Sequence, residues 1–98
     1  MKLNHPPKAD QIEVTLIGPG KGECALVHLG NNNWIVIDSC INSATHKPAA
    51  LSYFQEIDVV PSEAVKLIIV THWHDDHIKG LHETLLQCNK AAFCASSA

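Results

Sequence analysis

Apolar and polar positions alternate strictly over "QIEVTLI" (11 to 17), with Ile12, Val14 and Leu16 on one side and Gln11, Glu13 and Thr15 on the other. Successive side chains of an extended backbone point to opposite faces, so this period predicts a half-buried strand. The glycine-rich "GPGKGE" then reads as a turn and "CALVHL" (24 to 29) as a second strand. "GNNN" is another turn signal, and "WIVID" (34 to 38) completes a predicted three-stranded meander. Pro48 suits the first turn of a helix, and Ala50, Phe54 and Ile57 recur at helical spacing, predicting a helix over 48 to 57.

The run "VKLIIV" (65 to 70) is nearly all apolar, the pattern of a strand covered on both faces. Beyond it, Ile78, Leu81 and Leu85 are spaced by three and four and predict a helix from about Asp76 to Gln87. "AAFCA" (91 to 95) reads as the start of another strand. There is no internal repeat, linker or low-complexity segment. The resulting order, β-β-β-α-β-α-β, mixes hairpins with crossovers. It implies an α/β or α+β fold with helices packed on a sheet.

Composition narrows the functional classes. With 46% hydrophobic and 17% charged residues, the 98-residue chain is globular and suits one small domain or part of a larger one. The formal charge is -3, arginine is absent, and the seven basic residues are scattered lysines. Neither a basic stripe nor a bidentate phosphate clamp is visible. The start, "MKLNHPPKADQ", lacks a signal-type apolar core, and no stretch has the length of a membrane span, so a cytoplasmic location is expected. Cys24, Cys40, Cys88 and Cys94 have no CxxC spacing and are expected to be free thiols that pack as small hydrophobes.

The densest chemistry lies in "VTHWHDDHIKG" (70 to 80), directly after the apolar run. If the chain leaves its strand still extended, His72, His74 and Asp76 share one side, and His77 joins them where the backbone turns into the helix. Imidazole nitrogen and carboxylate oxygen are ligands of zinc, manganese or iron. Asp75 and Trp73 have the opposite parity. Asp75 is read as an outer or capping residue at the positive end of the helix dipole, and Trp73 as packing.

"THWHDDH" resembles the H-x-H-x-D-H signature of the metallo-β-lactamase superfamily, here His72, His74, Asp76 and His77. "WIVIDSC" is similar to that family's third strand ending in an aspartate, here Asp38, and Gly80-Leu81 matches the pair following the motif. "GPGKGECALVHLGNNNWIVIDSC" further resembles the branch containing the hydrolase domain of DNA-uptake competence proteins. The resemblance implies a four-layer αβ/βα sandwich, of which residues 1–98 would be the amino-terminal half, with 1–10 expected to be flexible. It implies two metal ions, zinc first and manganese or iron as alternatives. His72 and His74 would hold one, and Asp76 and His77 the other, with a bridging hydroxide as nucleophile. Asp76 would also accept a hydrogen bond from that hydroxide and help move a proton. Asp38 is weighed as orienting a ligand histidine or as capping a turn.

This loop supplies two ligands per ion where a closed site needs three or four. By the resemblance, a further histidine, aspartate and histidine belong to a carboxy-terminal half that would be the chain's partner. The chain is therefore expected to be a fragment or truncated product. His28 is read as structural or surface, His5 and His46 as solvated loop residues, and His82 as badly spaced to share ligation with His77. Lys21, Gly22 and Glu23 suit a turn rather than a phosphate cradle, because no Walker-type pair follows. The leading expectation is a metal-dependent hydrolase of phosphodiesters or nucleic acids, with no membrane association. Flavodiiron relatives carry glutamate where this chain has His74, which favours hydrolysis. Iron-dependent dioxygenases of the fold keep the histidine and stay open, as does a non-catalytic or incomplete metal-binding module.

Overall fold

In the computed structural model, which describes residues 5–17, 24–42, 44–71 and 80–95, the alternating segments form an antiparallel meander. Its strands are β1 (Glu13–Ile17), β2 (Cys24–His28) and β3 (Trp34–Ile37). A small hairpin follows, β4 (Ile41–Asn42) and β5 (Lys47–Pro48), and runs into α1 (Ala49–Glu56). A single turn, α2 (Pro61–Ala64), leads into β6 (Val65–Val70), and α3 (Leu81–Gln87) precedes β7 (Ala92–Ala95). The main sheet has five strands in the order β1-β2-β3-β6-β7, with β6 parallel to both β3 and β7. The expected mixed α/β architecture is therefore present.

Three elements carry no strong sequence signal. The β4-β5 hairpin turns through the Asn42 side chain, whose Oδ1 accepts the amides of Ala44 at 2.8 Å and Thr45 at 3.1 Å. Asparagine favours this local closure because its carbonyl mimics a backbone acceptor. The α2 turn starts on Pro61, which has no amide hydrogen to leave unpaired, after an extended Val60. The predicted start of α3 at Asp76 falls outside the described residues.

Both crossovers, β3 to β6 through α1 and β6 to β7 through α3, step across the sheet in one direction. Crossovers of one hand taken in one direction lay their helices on one face. The core shows this layer: Leu26, Trp34, Val36 and Ile68 of the sheet are buried with Ala50, Phe54 and Ile57 from the α1 side. The predicted helical spacing of Ala50, Phe54 and Ile57 is thus a buried stripe. In α3 the inward residues are Leu81 and Thr84, followed by Cys88, whereas Leu85 is exposed. Leu81 thus faces inward as expected, but the stripe continues through Thr84 and Cys88 instead of Leu85. Trp34 is the centre of the core, 5.0 Å from the His28 ring and 5.1 Å from Phe54 in an edge-to-face contact.

The opposite face of the sheet has no such cover among the described residues, which changes two expectations. On β1 the polar side, Glu13 and Thr15, is the half-buried side toward the helices, while Ile12, Val14 and Leu16 are 76%, 62% and 79% exposed. On β6, Val65, Ile68 and Val70 are buried but Leu67 and Ile69 are only half-buried, so the strand is covered on one face, not both. Alternation marks which residues share a side. Which side receives the helices is decided by the crossovers.

Candidate metal-loop anchor and its supports

Parallel β3 and β6 end side by side, and in open α/β sheets the carboxyl ends of such strands are where ligands bind. At the end of β3, Asp38 adopts a left-handed conformation, φ 60°, which asparagine and aspartate tolerate better than other residues. Its amide donates to the Ile69 carbonyl at 2.7 Å, extending the β3–β6 pairing by one bond. The turn out of the strand leaves Asp38 7% exposed, with its carboxylate directed at the end of β6.

That carboxylate receives two hydrogen bonds from one residue. The Thr71 amide donates to Oδ1 at 2.7 Å, and the Thr71 hydroxyl donates to Oδ2. Thr71 immediately precedes His72. A buried anion paired with two donors is favoured because hydrogen bonds to a charged acceptor are shorter and stronger than neutral ones. Asp38 thereby fixes the residue from which the histidine-aspartate segment departs, across 33 positions of sequence.

The far end of the segment is held by packing. Gly80 has φ 79°, and a Cβ there would lie 2.9 Å from Ile41 Cδ1 and from Pro48 Cγ. Only glycine allows α3 to begin so close to the β4-β5 hairpin. The Gly80 carbonyl then accepts both the amide and the hydroxyl of Thr84, each at 2.9 Å. Thr71 and Gly80, the described residues on either side of 72–79, are therefore fixed to the sheet layer and its hairpin.

His72, His74, Asp76 and His77, with Trp73, Asp75 and the turn residues Lys21, Gly22 and Glu23, lie outside the described residues. Among the described residues no group of three or more histidine, cysteine, aspartate or glutamate side chains is placed to hold a metal. The remaining histidines follow the sequence reading. His5, His46 and His82 are exposed. His28 is buried and structural: its Nδ1 donates to the Gln11 carbonyl at 2.7 Å, while Nε2 accepts the Asn32 amide at 3.2 Å. With both ring nitrogens engaged, His28 has none left for a metal.

All four cysteines are free thiols; Cys24, Cys40 and Cys88 are buried, and Cys94 is exposed. Burial, followed by the nearby Cys40 and Asp38, pushes the Cys24 thiol up to about 12. Burial also raises Cys40, and pushes Cys88 up to about 11. Desolvation disfavours the thiolate, so these groups stay protonated and inert at neutral pH. A cavity of about 450 Å³ lined by Lys47, Leu51, Asp58, Val60, Glu83 and Gln87 sits on the helix layer and includes neither Asp38 nor Thr71. It is not the site.

Thr71, which motif reading passed over, is the residue that the Asp38 carboxylate holds. Its only signal was a hydroxyl placed between the apolar run and the first histidine. Among the described residues, no helix is long and apolar enough to cross a membrane. No curated protein matches the chain. The family model of the metallo-beta-lactamase superfamily matches residues 17–97. With that match over most of its length, on a mixed α/β sheet that pins the entry to the histidine-aspartate segment, the chain belongs to the metallo-beta-lactamase superfamily.

Proposed function

We propose that the chain is the metal-holding part of a metal-dependent hydrolase that acts on phosphodiester bonds, with nucleic acid as the substrate class. The observation that carries this reading is the Asp38 carboxylate, which clamps Thr71 by two hydrogen bonds at the threshold of the motif. A site must be held to about half an ångström to be productive, and a ligand segment gains that precision from the rigid strands behind it. The donor set suits borderline divalent ions, zinc first and manganese or iron next. His72 and His74 would hold one ion, Asp76 and His77 a second, and Asp38 would position the ligand segment through Thr71. Two such ions supply an activated water near neutral pH and polarise the substrate oxygen. Asp76 would hold and pass on the water's proton. The likeness of residues 18–40 to the competence-protein branch supports the phosphodiester class.

A second reading, an incomplete metal-binding module, is favoured by the open apolar face of the sheet. In a complete four-layer domain a carboxy-terminal half would cover that face and bring the remaining ligands. Two ligands per ion leave most positions to water, so the chain by itself should bind metal weakly and turn over little.

Titration calorimetry with zinc and manganese tests the reading. Weak binding that disappears in the His72→Ala/His74→Ala double variant is expected, with the circular dichroism spectrum unchanged. Binding that survives this double change would refute the ligand assignment. In the chain joined to a completing half, Asp76→Asn should lower turnover of a simple phosphodiester by about two to four orders of magnitude. Asp75→Asn should be mild, and the reverse order would sink the role given to Asp76.

A further inference from the structure

The cavity on the helix layer has a charge pattern that metal binding does not use. Strands β3, β6 and β7 are parallel, so α1 and α3, which return the chain between them, run in the same direction over the sheet. The cavity of about 450 Å³ is lined from both helices. Small-molecule sites occupy roughly 300–1,000 Å³, and this volume falls within that range. Its apolar part is Leu51 of α1 with Val59, Val60 and Pro61 from the chain that follows. Gln55 and Gln87, near the ends of the two helices, add amide groups.

The end of the cavity at which both helices finish is negative. Carbonyls without amide partners leave a partial negative charge at a helix C-terminus. Neither α1 nor α3 has a basic residue in its last turn, and Lys47, the lysine of the lining, precedes α1 at the opposite end. Asp58 adds a full negative charge just past α1, the unfavourable end of the dipole. Its backbone is left-handed, φ 62°, at a position that glycine usually fills. Hydrogen bonds fix the turn: the Asp58 amide donates to the Gln55 carbonyl at 3.3 Å and the Val59 amide to the Phe54 carbonyl at 2.8 Å. A carboxylate is thus held where the helix by itself favours a neutral or basic side chain. Glu83, by contrast, lies in the first turn of α3, where the dipole alone accounts for an acid.

We propose that this cavity binds a small organic cation with an alkyl stem, of the alkylguanidinium class. The cationic head meets the Asp58 carboxylate and the side-chain carbonyls of Gln55 and Gln87, and the stem lies over Leu51 and Val59. A carboxylate has about four acceptor positions, so Asp58 can take the head in addition to the partner it already has. A planar guanidinium offers five N–H donors, which suits three separate acceptors better than a compact ammonium does. Leu51 and Gln55 are one helical turn apart, about 6 Å along the axis, which a four-carbon stem spans. A metal ion fits less well, because no group of three ligand-type side chains converges among the described residues. The negative end likewise disfavours an anion. This inference is independent of the metal reading, since the cavity includes neither Asp38 nor Thr71.

Titration of the 98-residue chain with n-butylguanidinium chloride, followed in proton–nitrogen NMR correlation spectra, tests the proposal. For so small a ligand in an open cavity a dissociation constant of about a millimolar is expected, and a titration to about 50 mM brackets it. Saturating shifts should centre on the amides of 51–61 and 83–87. The neutral isostere n-butylurea should bind about tenfold more weakly or worse. Asp58→Asn keeps a residue that tolerates the left-handed turn, and should weaken butylguanidinium binding by about tenfold or more with the spectrum otherwise preserved. Glu83→Gln should weaken it by less than about threefold. The absence of saturable shifts at these amides, equal binding of butylurea, an Asp58→Asn chain that binds as the parent does, or a larger loss with Glu83→Gln than with Asp58→Asn would each overturn the proposal.

Discussion

Replacing Asp38 by asparagine isolates the charge that anchors the ligand segment. Asparagine accepts the left-handed backbone at φ 60° as readily as aspartate, so the turn out of β3 is retained. What changes is the partner of Thr71: Oδ1 still accepts its amide, but the second oxygen becomes an Nδ2 donor, toward which the Thr71 hydroxyl must turn to accept. A hydrogen bond to a charged group contributes about 1.5–3 kcal/mol and a neutral one about 0.5–1.5. Exchanging two charged bonds for neutral ones therefore costs about 2 kcal/mol. Thr71 is exposed, which places the effect at the lower end of that range. With a urea slope of about 2 kcal/mol per molar, the unfolding midpoint should fall by about 1 M. Thr71→Val removes the hydroxyl but keeps the amide, and the double-mutant cycle with Asp38→Asn should show about 1 kcal/mol of coupling. The same Asp38→Asn variant should bind zinc more weakly than the parent by calorimetry. A midpoint equal to that of the parent, or a cycle with no coupling, would refute Asp38 as the anchor.

The other expectations rest on single contacts. Gly80→Ala places a Cβ 2.9 Å from Ile41 and Pro48 at φ 79° and should lower stability by about 2 kcal/mol, read as a urea midpoint. His28→Ala removes a fully buried ring with two hydrogen bonds and a Trp34 contact, costing about 3 kcal/mol by thermal or urea unfolding. A thiol-reactive dye should label Cys94 at once in the folded chain and the other three cysteines only on unfolding; early labelling of Cys24 would contradict its burial. The Cys24 thiol is raised from 9.0 to about 12 in the folded state. The unfolded chain therefore releases that proton first as pH rises. The contribution is present in full below pH 9.0 and is lost between there and about 12, which urea midpoints taken across that range should show.

Local pattern was enough to determine most of the elements and the family. The period-two segments became β1, β2 and β3, the apolar run became β6, and the spacing of Ala50, Phe54 and Ile57 became the buried side of α1. These features follow from side-chain direction relative to a few neighbouring residues, which the sequence contains in full. The segment from His72 to His77 is legible as a motif for the same reason, since His72, His74, Asp76 and His77 fall within six positions of sequence. Asp38 was visible as a strand end, but its partner was not. Thr71 lies 33 positions away and meets it only because the α1 crossover sets β6 beside β3. The role of His28 likewise depends on Gln11, 17 positions earlier, being brought against its ring. The side of the sheet left open was decided at the same level. Alternation in β1 groups Ile12, Val14 and Leu16, but both crossovers put their helices on the other face, so the apolar side is left exposed. Facing direction is a property of the packed layers, and no single strand carries it.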